Sequence, residues 1–143
     1  MAETLQKQGM MIYQGLEGLK EIFDKILTEN TGEYLVIALG KELAQKKLID
    51  FFMNFHKKRV RKNIKVRLIA DASSQKTIEN YPPRGMIVKY SNVKLPKGTF
   101  IFGDNVMSII WDETPTAFVL TSKKNAQKYK DFFEEIWRFA LNP

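Results

Sequence analysis

KGTFIFGDNVMSIIWDETPTAFVLT, residues 97–121, is the stretch that decides the fold. Its pattern predicts three strands joined by two tight turns. The first turn, at residues 103–105, is Gly-Asp-Asn, and these residue types tolerate the positive φ of a hairpin turn. The second turn falls at residues 113–115. Because the strands are apolar on both faces, as in the Ile-Ile-Trp of residues 109–111, we expect helices to cover both sides of the sheet.

The chain on either side of this meander alternates between strand and helix patterns. Residues 34–39 are a continuous apolar run, typical of a strand in the middle of a sheet. This order of elements predicts an α/β fold, specifically an α/β/α sandwich with a mixed β-sheet. The expected elements before the meander are an edge strand at 10–13, a helix from Leu16 that ends before Gly32, a helix at 41–63, a strand at 64–70, a short helix to Tyr81 and a strand at 86–90. A closing helix at 123–141 follows the meander, with Ser122 as its N-cap.

Length and composition indicate one globular domain. The chain has 143 residues, of which 44% are hydrophobic, and it contains no cysteine. The absence of cysteine excludes disulfides, a thiolate nucleophile and cysteine-based metal sites. Residues 1–9 are polar and are interpreted as a linker stub or disordered end, with the domain at residues 10–143. No run approaches the ~20 apolar residues of a membrane span, and the start lacks a leader pattern, so we expect a cytoplasmic protein without membrane contact.

The net charge of +7 allows several interpretations. A basic balance is typical of partners such as nucleic acid, anionic membranes or acidic proteins, but it also arises from a lysine-rich solvated surface. Cations at the end of a helix have a structural reason too, since they complement the negative end of the helix dipole. Five cations are concentrated near the end of the predicted second helix, namely Lys57, Lys58, Arg59, Arg61 and Lys62.

Few residues are suited to catalysis. His56 is the one histidine, and its mid-helix position favours a packed or solvent-edge residue over a metal ligand or catalytic base. No glycine-rich phosphate loop is present, and we predict no cofactor and no metal. Asp71 and Asp104 follow predicted strands, where ligands collect in open α/β sheets. Aspartate also caps turns habitually, so both functions remain open for these two residues.

The central hairpin resembles a known catalytic motif. Lys97-x-Thr99-x4-Asp104, followed by an apolar return strand, is similar to the His-x-Lys-x4-Asp hairpin of the phospholipase D superfamily, in which the histidine attacks a phosphodiester. Lys97 stands at the histidine position and Thr99 at the lysine position, and Asp104 alone matches. The resemblance implies a phospholipase D-like fold that has lost its catalytic pair, and therefore a protein that is not an enzyme.

A second resemblance covers nearly the whole chain. It rests on residues 13–20, 55–67, 101–106 and 115–119 and on the aromatic closing helix with Phe132, Phe133 and Trp137. In these stretches the sequence is similar to the C-terminal effector domain of TrmB-like transcriptional regulators, an archaeal-centred family. The resemblance implies a regulatory domain that senses an effector, forms a homodimer, or does both, while a separate winged-helix domain outside this chain binds DNA. Sugar-sensing members bind maltose- or trehalose-type ligands, although this does not identify a ligand here.

These observations lead to a principal hypothesis and two alternatives. The principal hypothesis is a regulatory domain whose small-molecule effector, a sugar or another compound, binds at the C-terminal edge of the sheet. The first alternative is a nucleic-acid-binding module that uses the cations of residues 57–62. The second is a phosphodiesterase with unusual residues at the hairpin. The predicted ligand-binding residues are Gly40, Asp71, Ser73, Thr99 and Asp104, together with Trp111, which is either a stacking surface or a core aromatic.

Overall fold

The computed structural model describes residues 8–29, 32–37, 46–80 and 85–143. The strands are β1 (Gly9–Gln14), β2 (Glu33–Ile37), β3 (Lys65–Asp71), β4 (Met86–Ser91), β5 (Thr99–Phe102), β6 (Asn105–Trp111) and β7 (Pro115–Thr121). The helices are α1 (Gly15–Glu29), α2 (Lys46–Arg61), α3 (Gln75–Asn80) and α4 (Lys123–Phe139), and a short 3-10 turn (Ala72–Ser74) precedes α3.

All seven strands form one mixed sheet in the order β1-β7-β6-β5-β2-β3-β4. The meander β5, β6 and β7 is antiparallel, and β1 adds to it at one edge. Strands β2, β3 and β4 are parallel to one another, since helical segments connect them. The two halves meet where β5 pairs antiparallel with β2, which places Ile37 opposite Thr99. This junction sets which strand ends share an edge of the sheet.

An aromatic cluster fills the core between the sheet and helices α1 and α2. Phe23 of α1 lies at its centre and is 1% exposed. Its ring makes edge-to-face contacts, with centroids 4.9 to 5.6 Å apart, to phenylalanines of α2 and β5. This geometry is favoured by the quadrupoles of the rings. The partners of Phe23 are Phe51, Phe52, Phe55 and Phe100.

Helix α4 packs on the opposite face of the sheet. Its first residue follows Ser122, whose hydroxyl accepts a hydrogen bond from the Asn125 amide at 3.3 Å, as an N-cap does. Phe133 points into the sheet and is fully buried. The guanidinium of Arg67, on β3, lies 5.4 Å from the Phe133 ring centroid and 5.2 Å from that of Trp137. These contacts fix the C-terminal half of α4 over the parallel strands, while its first turns pack on β6 and β5 through Ala126.

The predicted α/β/α sandwich with a mixed sheet is confirmed, as are the edge strand β1 and the N-cap at Ser122. Some predicted segments lie outside the described residues, among them the start of the second helix at 41–45 and the residues that follow β2 at 38–40. Among the described residues, no helix is long and apolar enough to cross a membrane.

Helices lie on both faces of the sheet, as predicted, but α4 does not cover the whole of the meander on its side. Ile110, Phe118 and Leu120 point to the α4 side of the sheet and are exposed. The reason is size. Helix α4 has 17 residues and is about 25 Å long and 10 Å wide, whereas seven strands span about 29 Å. A single helix therefore covers only part of this face in the described structure.

Candidate functional site

An ion pair lies at the edge of the sheet where the parallel strands end. Because β5 runs antiparallel to β2, residues just before Thr99 lie at the same edge as the end of β3. The Lys97 ammonium lies 3.0 Å from the Asp71 carboxylate. The carboxylate is mostly buried, and the ammonium is half exposed. The residue at the position of the phospholipase D histidine is thus paired with the predicted ligand-binding aspartate.

The neighbouring hydroxyl is also engaged within the chain. Thr99 is buried, and its hydroxyl donates a hydrogen bond to the Pro96 carbonyl at 2.9 Å. This bond fixes the loop that enters β5. Thr99 occupies the position of the phospholipase D lysine, but it carries no charge with which to stabilise a phosphate. Both positions of the catalytic pair therefore make structural contacts.

Trp111 is the last residue of β6 and lies at this same edge. Its side chain packs on the face of the sheet that α1 and α2 cover, opposite to α4. It is partly buried, and its ring centroid lies 6.2 Å from that of Phe52. Gly98 approaches it closely. A Cβ at Gly98, where φ is +79°, would lie 2.9 Å from the Ile109 carbonyl oxygen and 3.6 Å from the indole nitrogen. The indole is therefore largely a packing residue, with a remaining surface that a ligand could contact.

The structure does not bring all the predicted ligand residues together. Ser73 is exposed in the 3-10 turn that directly follows Asp71, so it lies at the same edge as Thr99. Gly40 lies outside the described residues. Asp104 lies at the opposite edge, in the turn between β5 and β6, where its carbonyl accepts a hydrogen bond from the Ser122 amide at 2.9 Å. Placing Asp104 with the other residues is wrong, because β5 runs away from the edge at which Thr99 begins it.

One of the five cations of the basic run is inside the protein. Arg59 is 1% exposed, so the expectation that it contacts phosphate is wrong. Its guanidinium donates to the Ile64 carbonyl at 2.8 Å and to Nδ1 of His56 at 3.0 Å. A longer bond of 3.5 Å reaches the Gly85 carbonyl, ahead of β4. Arg59 thus joins the end of α2 to the starts of two strands. Sequence spacing carried a signal for this, since position 59 lies on the stripe of Phe52 and Phe55.

The other four cations are exposed. Lys57, Lys58 and Arg61 lie on α2, and helical spacing places them within a sector of about 100°. Lys62 follows immediately after the helix end and is also exposed. With Arg59 turned inward, the remaining cations form one charged surface rather than a ring around the helix.

His56 is a partly buried side chain whose Nδ1 accepts a hydrogen bond from Arg59. Burial, and to a smaller extent the charge of Arg59, lowers the pKa of His56 from 6.5 to about 4. The ring stacks on Phe52, with centroids 6.4 Å apart. The prediction of a packed histidine is confirmed. Among the described residues, no three His, Asp or Glu side chains are placed to hold a metal ion.

Small depressions occur on the surface of the described residues. One, of about 70 Å³, lies between α1 and α2 and includes Lys20, Asp24 and Lys58. Another, of about 170 Å³, lies between α4 and the uncovered strands and includes Phe118 and Tyr129. Both are smaller than the ~300 Å³ from which small-molecule sites usually begin. Neither includes the Asp71–Lys97 pair.

No protein-family model matches the sequence, and no curated protein is similar to it in sequence. Solved structures define the class of fold, which is phospholipase D-like. The phospholipase D family member Nuc from Salmonella typhimurium matches with a TM-score of 0.62 and 11% identity, over 96% of this chain and 99% of its own. NucT from Helicobacter pylori matches with a TM-score of 0.60 and 10% identity, over 96% of this chain and 100% of its own.

A DNA-binding protein has the same fold. The archaeal chromatin protein TrmBL2, whose structure shows a novel mode of DNA binding, matches with a TM-score of 0.58 and 14% identity. The match covers 94% of this chain and 55% of TrmBL2, so the present chain spans about half the length of that protein. At these identities the likeness shows the fold alone.

Proposed function

We propose that this chain is a non-enzymatic regulatory domain of a TrmB-like transcriptional regulator, acting through effector sensing, dimerisation or both. The observation that carries the proposal is the state of the two positions that are catalytic in phospholipase D. They hold Lys97 and Thr99, the first paired with Asp71 and the second bonded to the Pro96 carbonyl. The TrmBL2 likeness supports a DNA-related setting. The proposal includes a separate winged-helix domain that binds DNA and a cytoplasmic location.

The residues at this edge of the sheet do not provide a nucleophile that could attack a phosphodiester. A nucleophile must present an unprotonated lone pair, and the phospholipase D reaction takes it from an imidazole. Lys97 stands at the position of that imidazole, and its ammonium is engaged in an ion pair with Asp71. The imidazole of His56 is on α2 and accepts the hydrogen bond of Arg59 through Nδ1. No equivalent of the attacking group therefore lies near Thr99 in the described structure.

The test of this point is a phosphodiesterase assay with bis(p-nitrophenyl) phosphate. We expect hydrolysis no faster than in buffer for the wild-type protein between pH 5 and 9. Lys97→Ala is the matched variant, because it removes the amine at the position of the phospholipase D histidine. A rate above buffer that Lys97→Ala abolishes would show an enzyme.

The same edge has the chemistry to bind a polyhydroxylated effector. The Asp71 carboxylate can accept hydrogen bonds from hydroxyl groups, Ser73 can donate or accept, and the indole of Trp111 offers a partial stacking surface. Maltose and trehalose are suitable first probes for thermal unfolding. At a sugar concentration 100 times Kd, the wild type should gain about 2.7 kcal/mol, a rise of several degrees in Tm. Asp71→Asn should lose most of this rise. No shift with either sugar would contradict binding of this class of ligand.

The exposed cations near the end of α2 favour a second candidate function, which is direct nucleic-acid binding. The specific observation is that Lys57, Lys58 and Arg61 share one sector of the helix and are all exposed. Such a surface can track phosphates without reading bases. Binding of this kind releases counterions and weakens steeply with salt.

A double variant tests the nucleic-acid candidate. Lys58→Ala with Arg61→Ala should weaken binding to any duplex DNA and reduce the slope of log K against log salt by about 2. The matched control is Lys123→Ala with Lys124→Ala, which removes two exposed cations from α4. Equal effects of the two double variants would reject α2 as the binding surface.

A further inference from the structure

The uncovered part of the sheet forms an apolar platform on the α4 side. Strand registers align Met10 with Leu120 and Ile12 with Phe118. On the same face, Ile110 lies opposite Thr116, two residues before Phe118 on β7. We call these five apolar side chains, Met10, Ile12, Ile110, Phe118 and Leu120, the open sheet face. All five are exposed, from 36% for Leu120 to 68% for Met10. Contiguous exposed apolar surface of this kind marks interaction sites.

Helix α4 forms a wall beside the open sheet face. Asn125 and Tyr129 line the 170 Å³ depression together with Phe118, so this flank of α4 faces the platform. Phe132 and Phe139 follow Asn125 at seven-residue spacing and therefore lie on the same flank. Both are exposed, Phe139 by 76%. The floor of strands and the helical wall together form an L-shaped apolar groove.

The groove has the width of a helix. At the Ile110 end of β6, strands β6, β7 and β1 span about 10 Å between their axes, which equals the diameter of a helix with its side chains. At the other end of β6, α4 packs on Val106 and narrows the open floor to β7 and β1. The molecule itself carries one helix of suitable shape on the same face, namely α4. A two-fold axis parallel to the strands would place the α4 of each copy over the open sheet face of the other. An axis at right angles to the strands would instead stack α4 on α4 and leave both platforms uncovered.

The exposed area is sufficient for a stable dimer. The five platform side chains and the two phenylalanines of the wall are on average about half exposed. With about 200 Å² for a large free apolar side chain, they offer roughly 700 Å² per copy and 1,400 Å² for a pair. Stable interfaces bury about 1,200–2,000 Å².

We propose that a second copy of this chain docks in the groove, with each α4 seated on the open sheet face of the other and the Phe132 flanks in contact near the two-fold axis. This rests on the dimerisation part of the proposed function and adds the surface that carries it. The interface is isologous, since one surface supplies both the groove and the helix that fills it.

Sedimentation equilibrium with two matched variants tests the surface. Ile12 and Ile87 both lie on edge strands and on the α4 side of the sheet, and they are 55% and 60% exposed. About 29 Å separates β1 from β4. Ile12→Glu should raise the dimer Kd by at least about tenfold, because it buries a carboxylate in the interface. Ile87→Glu should leave the Kd unchanged.

Cysteine cross-linking gives a positive result for the same arrangement. The chain has no cysteine, so an introduced thiol can form a disulfide only with a second copy. Phe132→Cys should give a covalent dimer under mild oxidation. Met53→Cys, at a 55% exposed position of α2, should not.

The possible outcomes distinguish an error in the assigned docking surface from the absence of a dimer. A wild-type dimer that Ile12→Glu and Ile87→Glu weaken equally, or not at all, would overturn the groove assignment and leave dimerisation intact. Cross-linking of Met53→Cys but not of Phe132→Cys would also overturn it. A wild-type monomer at 100 μM would remove both the groove assignment and the dimerisation part of the proposed function, whereas effector binding is judged by the thermal shift.

Discussion

Acidification should destabilise the protein through its single histidine. Burial and the neighbouring Arg59 charge lower the pKa of His56 to about 4, and the pKa in the unfolded chain is about 6.5. The unfolded state therefore takes up the proton first, and stability falls as the pH drops from 6.5 towards 4. At one pKa unit per 1.36 kcal/mol, the loss is about 3 kcal/mol below pH 4 and about 2 kcal/mol between pH 7 and pH 5.

Urea unfolding followed by tryptophan fluorescence measures this loss. The control is His56→Gln, because the glutamine carbonyl can accept the Arg59 hydrogen bond and does not titrate. The difference between wild type and variant isolates the histidine from the carboxylates. Since the chain has one histidine, its NMR resonance also reports the pKa directly. Parallel stability curves for the two proteins, or an NMR pKa near 6.5, would refute the reasoning.

Three substitutions test the packing by urea unfolding at pH 7. Arg59→Met should cost about 2–4 kcal/mol, because it leaves the Ile64 carbonyl without its buried donor; a loss below 1 kcal/mol would contradict the role of Arg59. Phe23→Ala should cost about 3–5 kcal/mol, since it opens a cavity among four phenylalanine rings. Gly18→Ala should cost about 1–3 kcal/mol despite the better helix propensity of alanine, because its Cβ would lie 2.8 Å from the Tyr13 carbonyl carbon. Gly9→Ala meets nothing within 4 Å and should be neutral.

Local patterns were sufficient to predict most of the elements. The Gly-Asp-Asn turn predicted the hairpin between β5 and β6, and Gly103 has a φ of +56° there. Ser122 predicted the start of α4, and the continuous apolar run at residues 34–37 predicted a central strand. Each of these signals acts within a few residues, where turn geometry, capping and hydrophobic period decide the conformation.

The candidate site depended on pairings between distant residues. Asp71 and Asp104 both follow strands. Because β5 pairs antiparallel with β2, the two residues lie at opposite edges of the sheet, one strand length apart. No local pattern specifies that pairing. The structural function of Arg59 within the basic run could not be predicted for the same reason. Its burial depends on carbonyls at Ile64 and Gly85, the latter 26 residues away.

The uncovered half of the meander has a similar cause. Apolar residues on both faces of a strand predict that both faces are buried, without identifying what buries them. Within the described residues, α4 alone packs on its side of the sheet and lies over strands β5 and β2 more than over β1. The apolar pattern of Ile110 and Phe118 thus agrees with an interface between chains.

Native mass spectrometry of the freshly purified protein, under conditions that preserve non-covalent complexes, tests in one measurement whether the chain dimerises and whether it carries a bound effector. A regulatory domain that dimerises should give a dimer of 16.6-kDa chains, and additional mass from a bound small molecule would define the effector class. A monomer without bound ligand at all concentrations would contradict dimerisation, and a protein that also shows no thermal shift with an effector would contradict the regulatory function.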